Sequence, residues 1–260
     1  MVKDVLSVAM VQYQIEWENP KANMAKIEEL LSVDLPLVDL VVLPEAFNTG
    51  FSMNLNVVAE SINGDTVCWM KRISVEKNVA VCGSIFVCDE GKFFNRFFWV
   101  NPDGTVQIYN KRHLFSFGGE DEYFTQGNEQ LIVEYKGWRI QPQICYDLRF
   151  PVWSRNTQQY DLLINVANWP SGREEVRQIL AKARAIENQS YTIAVNPIGS
   201  DGNNLTYSGN SMLIDARGKV INNMGEVEGV MIANLSYPKL QNFRNKFDTL
   251  KDADRFTLIS

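Results

Sequence analysis

Short apolar runs alternate along the chain with segments whose apolar residues recur at helical spacing. Residues 5–13 are almost continuously apolar and predict a strand. Asn19-Pro20 then opens a segment with Met24, Ile27, Leu30 and Leu31 on one side, the pattern of an amphipathic helix. A buried strand is expected over 39–43, stopped by Pro44, followed by a helix over 66–77 and a strand over 79–87. Segments 93–100 and 106–109 flank the turn Asn101-Pro102-Asp103-Gly104, and 131–135 and 138–144 flank Lys136-Gly137, so each pair predicts a hairpin. Residues 162–166 are apolar throughout, as in a strand covered on both faces. The longest helix is expected over 173–189, with Val176, Ile179, Leu180, Ala183 and Ile186 on one stripe. Strands follow over 192–196, 211–215, 219–221 and 230–235, two of them joined by the turn Asp215-Ala216-Arg217-Gly218. The more polar stretch 239–260 reads as a surface arm or as a segment packed on a second subunit.

No linker, low-complexity stretch or internal repeat divides these elements, so the expectation is one α/β domain over 1–260, with helices covering sheets. At 260 residues and 45% hydrophobic the chain can bury a sizeable core. A net charge of −6 leaves no domain-wide basic footprint for nucleic acid or an anionic membrane. The apolar runs at 5–11 and 35–43, the second interrupted by Asp39, are too short to span a bilayer. The N-terminus lacks a cleavage-like small-residue site, so a soluble protein is expected. The cysteines Cys68, Cys82, Cys88 and Cys145 form no CxxC pair, and His113 is the single histidine. That argues against a disulfide framework and against zinc, and fits a reducing cytoplasm.

Three segments carry chemistry. Cys145 stands where the apolar run 138–144 gives way to the polar turn Cys145-Tyr146-Asp147, a place where α/β proteins present nucleophiles. With one histidine in the chain, its base is most economically a carboxylate. Glu45 directly follows Val41-Val42-Leu43-Pro44, where desolvation raises a carboxylate's pKa and suits it to accept a proton near neutrality. Lys111, in Lys111-Arg112-His113-Leu114, leaves a strand for a loop bearing Gly118-Gly119-Glu120. A lysine beside a thiol and a carboxylate favours the thiolate and donates to an oxyanion. Each residue also has a plain reading: a buried structural thiol, a glutamate at a helix N-terminus, an exposed lysine in a basic pair.

Taken together and in this order, Leu43-Pro44-Glu45, Lys111-Arg112-His113-Leu114 and Cys145-Tyr146-Asp147-Leu148-Arg149-Phe150-Pro151 resemble the carbon–nitrogen hydrolase (nitrilase) superfamily. The N-terminal strand and Ala183-Arg184-Ala185-Ile186-Glu187-Asn188-Gln189 extend the likeness over essentially the whole chain. The resemblance implies a four-layer α-β-β-α sandwich that pairs with a second copy. It also implies Glu45 as general base, Lys111 as oxyanion donor and Cys145 as nucleophile, with no metal or organic cofactor. A second glutamate after the lysine motif maps best to Glu120, although Asp121 and Glu122 adjoin it. His113 is then left with a local structural hydrogen bond.

Within the superfamily the chain looks most like the bacterial omega-amidases, which hydrolyse 2-oxoglutaramate and 2-oxosuccinamate. Trp153-Ser154-Arg155-Asn156, Ala167-Asn168-Trp169-Pro170, Asp201-Gly202-Asn203 and Tyr207-Ser208-Gly209 carry that likeness. Such a substrate needs an oxyanion donor, for which the Tyr146 N–H is the candidate. It also needs a cation for its free carboxylate, for which Arg173 is the candidate, although as a first-turn helix residue Arg173 could equally face solvent. Phe47, Tyr123 and Trp169 are candidate pocket walls, with a core position favoured for Phe47. Arg149 and Asp147 are expected to form an ion pair shaping the cysteine turn, and Arg184 and Glu187 to be structural. The same triad would also serve an N-carbamoyl amino acid hydrolase of the β-ureidopropionase kind or a nitrilase. A catalytically silent interaction protein on this scaffold is the reading from another class.

Overall fold

The computed structural model describes residues 2–32 and 37–258. The start of the apolar run at 35–43 and the last two residues of the 239–260 stretch lie outside the described residues.

The chain opens with β1 (Val5–Gln12), α1 (Pro20–Ser32), β2 (Leu40–Val42), a short α2 (Leu55–Val58), β3 (Glu60–Ser61) and α3 (Asp65–Lys77). It continues through the meander β4 (Ala80–Asp89), β5 (Lys92–Val100) and β6 (Val106–Asn110) to a single turn, α4 (Glu120–Tyr123). The second half begins with the hairpin β7 (Val133–Tyr135) and β8 (Trp138–Ile144), then α5 (Pro151–Ser154), β9 (Leu162–Val166), α6 (Glu174–Asn188) and β10 (Tyr191–Val195). After the small hairpin β11 (Ile198–Ser200) and β12 (Thr206–Ser208) come β13 (Met212–Ile214), β14 (Val220–Asn223), β15 (Gly229–Ser236) and α7 (Tyr237–Lys246).

One sheet runs β15-β1-β2-β4-β5-β6 with β3 beside β4, and the other β14-β13-β10-β9-β8-β7. Their centres, β1-β2-β4 and β8-β9-β10, are parallel, and antiparallel strands flank them. Period-two alternation sorts the side chains into layers. Leu6, Val8 and Met10 of β1 join Trp138, Ile140, Leu162 and Ile193 of the second sheet in the core between the sheets. Ala9 and Val11 point the other way, toward Ile27 of α1 and Met70 and Ile73 of α3. On the far side, Ala181 and Ala185 of α6 cover Ala194, Met212 and Ile214. The result is the expected α-β-β-α sandwich.

Two expectations are corrected. The stripe Val176, Ile179 and Ile186 does not face this core: these residues are 38%, 58% and 52% exposed. The buried face of α6 is instead Arg177, Ala181, Arg184, Ala185 and Asn188. Polar side chains are inward because they close backbone acceptors: Arg177 Nη2 donates to the carbonyls of Gly209 (2.7 Å) and Asn210 (2.8 Å). Arg184 donates twice to the Leu148 carbonyl, at 3.0 and 2.7 Å. In addition, the polar 239–260 stretch carries much of an unforeseen helix, α7. It has Pro238 in its first turn and Ser236 as cap, and it is docked by buried Leu240 and the Arg244–Asp161 ion pair at 2.7 Å. Among the described residues no helix is long and apolar enough to cross a membrane.

Candidate active site

Glu45, Lys111 and Cys145 are 34 to 100 residues apart in sequence, but each directly follows a strand or the residues that end one. Glu45 lies three residues beyond β2, Lys111 one beyond β6, and Cys145 one beyond β8. The ends of the two sheets meet there, with the Glu45 N–H donating to the Ala167 carbonyl at 3.4 Å. This is the strand-carboxyl edge where open α/β sheets place ligands.

Glu45 is fully buried. Its Oε1 accepts from Lys111 Nζ and Asn95 Nδ2, each at 2.8 Å, and its Oε2 accepts from the Asn168 N–H at 2.8 Å. The Asn168 side chain also donates to the Glu45 carbonyl. Lys111 Nζ reaches Glu120 as well, at 3.0 Å to Oε1 and 2.8 Å to Oε2. Of the three acidic residues 120–122, Glu120 is the buried one, and its Oε2 accepts from the Phe115 N–H at 2.6 Å. Burial alone disfavours the Lys111 ammonium, yet the charges of Glu120 and Glu45 outweigh it and carry the pKa above the ordinary lysine value. Burial raises the Glu120 pKa, with the Glu45 charge adding to it against the pull of Lys111. So the ammonium is permanent, and the two carboxylates compete for it.

Cys145 is half-buried and adopts φ 42°, a left-handed conformation that costs a non-glycine residue about 1–2 kcal/mol. The turn is held by Asp147, which accepts from the Ile144 N–H at 3.0 Å, from Tyr109 OH at 2.6 Å and from the His113 N–H at 2.9 Å. The thiol pKa is pushed well up, by burial first and by the Glu45 charge second, with Lys111 opposing. A resting thiol is therefore neutral, and a thiolate forms only as its proton leaves for a nearby acceptor. Glu45 is close enough to act on the thiol by charge and by hydrogen bonding.

Glu45, Lys111 and Cys145 line one small cleft, about 180 Å³, with Glu120 buried behind Lys111. Tyr146, Trp169 and Arg173, expected at the site, line it too. Arg173 lies 5.4 Å over the Phe115 ring, and Arg149 lies 5.0 Å over Trp169. Phe47 and Tyr123 do not line it. Phe47 is fully buried, with its ring 6.0 Å from Trp69 on the other side of the first sheet. Tyr123, at the end of one-turn α4, is 51% exposed, because the turn spends its inward position on Glu120. The Arg149–Asp147 ion pair is also absent: Asp147 is occupied by Tyr109, His113 and Ile144, which frees Arg149 to lie on aromatic faces at the cleft. His113 Nδ1 sits 2.9 Å from Asp147 Oδ1 and its ring stacks on Phe150, a structural placement.

Asn95, Asn168 and the cleft walls Phe51, Met53, Leu205 and Tyr207 were not foreseen. For Asn95 a signal existed: it interrupts the apolar strand Phe93-Phe94-Asn95-Arg96-Phe97-Phe98 at a position that is 1% exposed. Among the described residues no group of three or more His, Cys, Asp or Glu is placed to hold a metal ion.

The family model for carbon–nitrogen hydrolases matches residues 7–245. The omega-amidase YafV of Yersinia enterocolitica is 41% identical over 98% of this chain and 99% of its own length. The 2-oxoglutaramate amidase of Bacillus subtilis (strain 168) is 30% identical over 95% of this chain and 96% of its own. Among solved structures, XC1258 of Xanthomonas campestris, a carbon–nitrogen hydrolase superfamily protein with an arsenic adduct in its active site, superposes with a TM-score of 0.96. It is 41% identical and covers 98% of this chain and 100% of that one.

Proposed function

The chain belongs to the carbon–nitrogen hydrolase family and is a hydrolase of linear amides, and from that premise we propose that it is an omega-amidase cleaving the terminal amide of a small 2-oxo dicarboxylic acid. Cys145 is the nucleophile and Glu45 its base. As the sulfur attacks the amide carbon, the thiol proton passes to Glu45 Oε2. The carbonyl oxygen gains the charge, received by Lys111 Nζ and the Tyr146 N–H. Glu45 returns the proton to the departing nitrogen, and ammonia leaves behind a thioester on Cys145. Water, losing a proton to Glu45, then attacks the thioester. Its collapse frees the carboxylic acid and restores the thiol. Glu120 shares the Lys111 ammonium and holds it in place.

The observation that carries the substrate class is the pair of guanidinium groups at the cleft, Arg173 and Arg149. Both rest on aromatic rings, and neither forms an ion pair among the described residues. A cationic rim on a small amidase cleft suits a substrate with a free carboxylate. The relatives named for omega-amidase and 2-oxoglutaramate amidase activity support the same reading. The test is ammonia release from 2-oxoglutaramate, 2-oxosuccinamate, glutamine, asparagine and 3-ureidopropionate. The two 2-oxo amides should be fastest in kcat/KM. Faster release from 3-ureidopropionate, with carbon dioxide, would replace this reading with a carbamoylase.

We further propose self-association through the exposed stripe of α6, and a cytoplasmic location. Four unpaired cysteines support the latter.

A further inference from the structure

We infer that Asn95 is a positioning residue that fixes which oxygen of Glu45 receives the thiol proton and holds the two glutamates when Lys111 turns to the substrate. The inference rests on the proposed role of Glu45 as base. Asn95 lies in mid-β5, 1% exposed, and does not line the cleft. Its Nδ2 donates one hydrogen to Glu45 Oε1 at 2.8 Å and the other to Glu120 Oε1 at 3.0 Å. Its carbonyl accepts the Lys111 N–H at 2.9 Å, so the same residue also sets where Lys111 leaves the sheet.

This arrangement loads Glu45 unevenly. Oε1 accepts from both Lys111 and Asn95, while Oε2 accepts from one fixed donor, the Asn168 N–H. Oε2 therefore keeps the freer lone pair, and a carboxylate anchored through Oε1 cannot rotate to offer the other oxygen. Lys111 has three N–H donors spread over Glu45 and both oxygens of Glu120. When an oxyanion forms, one of them must turn toward it, and the carboxylates lose part of their shared cation at that moment. A neutral donor bridging both glutamates keeps them in place without competing for the oxyanion.

The amide orientation fits a role at the site more than a role in stability. With Nδ2 on the carboxylates, Asn95 Oδ1 is buried without a hydrogen-bond partner, a cost the fold bears. The reverse orientation would set an oxygen against two carboxylates.

The charged and titratable groups around Glu45 are Lys111, Glu120 and Cys145, with Tyr207 feeling its charge from the far wall. Removing a donor from an ionised carboxylate raises its pKa. In Asn95→Ala the acid limb of kcat/KM should thus move up by about one pH unit. At neutral pH kcat should fall about 10- to 100-fold, and KM should stay within about two-fold because Asn95 does not line the cleft. Folded enzyme is counted from the amplitude of its cooperative urea-unfolding transition, so that misfolded protein does not register as lost kcat. Should Asn95→Ala not fold, Asn95→Asp keeps the shape, replaces the donor by a third acid and should move the limb further up. An unmoved limb in folded protein overturns the inference. Glu45→Gln separates the two levels: retained turnover in that variant removes the base reading itself. A dead Glu45→Gln beside an unmoved Asn95 variant removes only the role of Asn95.

Discussion

At the scale of single residues, backbone strain and burial define the site. Cys145 is a non-glycine residue in left-handed conformation, as is Ala46 directly after Glu45, so the proposed nucleophile and base both stand on turns that the surroundings must hold. Replacing Cys145 by alanine should abolish turnover with little change in unfolding free energy. Glycine at the same position should be more stable than alanine by about 1 kcal/mol, because it adopts this conformation without a Cβ penalty. Urea unfolding of the two variants checks the difference; a less stable glycine variant would mean that packing of the Cβ outweighs the strain. Arg173 makes a separate prediction. If it holds the substrate carboxylate, Arg173→Leu loses a charged hydrogen bond of roughly 1.5–3 kcal/mol, which raises KM about 10- to 100-fold. Steady-state kinetics should show kcat much less affected, since the carboxylate is remote from the reacting amide. A fall confined to kcat would assign Arg173 to the chemistry.

At the scale of elements, what was legible in the sequence depended on whether the element answers to a single pattern. Strands 5–13, 162–166 and 138–144 were legible because burial on one or both faces writes directly into apolar runs, and strand ends next to Glu45 and Cys145 followed. Glu120 over its two acidic neighbours was legible only through family likeness, since nothing local distinguishes three acids in one turn. Helix α6 was misread in orientation for a physical reason: its inward face uses arginines to close orphan carbonyls, which periodicity counts as a solvent face. Helix α7 was missed because its core-facing residues Tyr237, Leu240 and Phe243 stand among Pro238 and a majority of polar residues, which hides the stripe in the sequence. The α6 arrangement is testable. Arg184, 3% exposed, binds the carbonyl of Leu148 inside the turn that carries Cys145. Arg184→Ala leaves that carbonyl bare and should cost about 3 kcal/mol in urea unfolding. It should also lower kcat, because the nucleophile turn loses its support from behind. A loss of stability with unchanged kcat would separate the helix from the turn.

At the scale of the whole molecule, two sheets bury each other through their inner faces and are covered outside by helices, but the cover is incomplete. On α6 the stripe Val176, Ile179 and Ile186 remains open, and Ile186 extends it over the β13–β14 turn, where its side chain lies against Gly218. An amphipathic helix with buried arginines on one side and open β-branched residues on the other has used its polar face inside and left an apolar one outside. A second copy presenting the same stripe would cover it symmetrically. Ile179→Glu tests this directly. Ile179 is 58% exposed in the single chain, so the charge costs the monomer little. In a symmetric pair it enters twice, each time desolvated and unpaired, at several kcal/mol. Sedimentation velocity should then show dimer for the parent chain and monomer for the variant at micromolar concentration. Glu45, Lys111, Glu120, Cys145 and the cleft walls all come from one chain, so the monomeric variant should keep its turnover of amide. Loss of turnover on dissociation, with an unchanged melting temperature, would instead make the partner's pressure on α6 part of what holds the Cys145 turn in place.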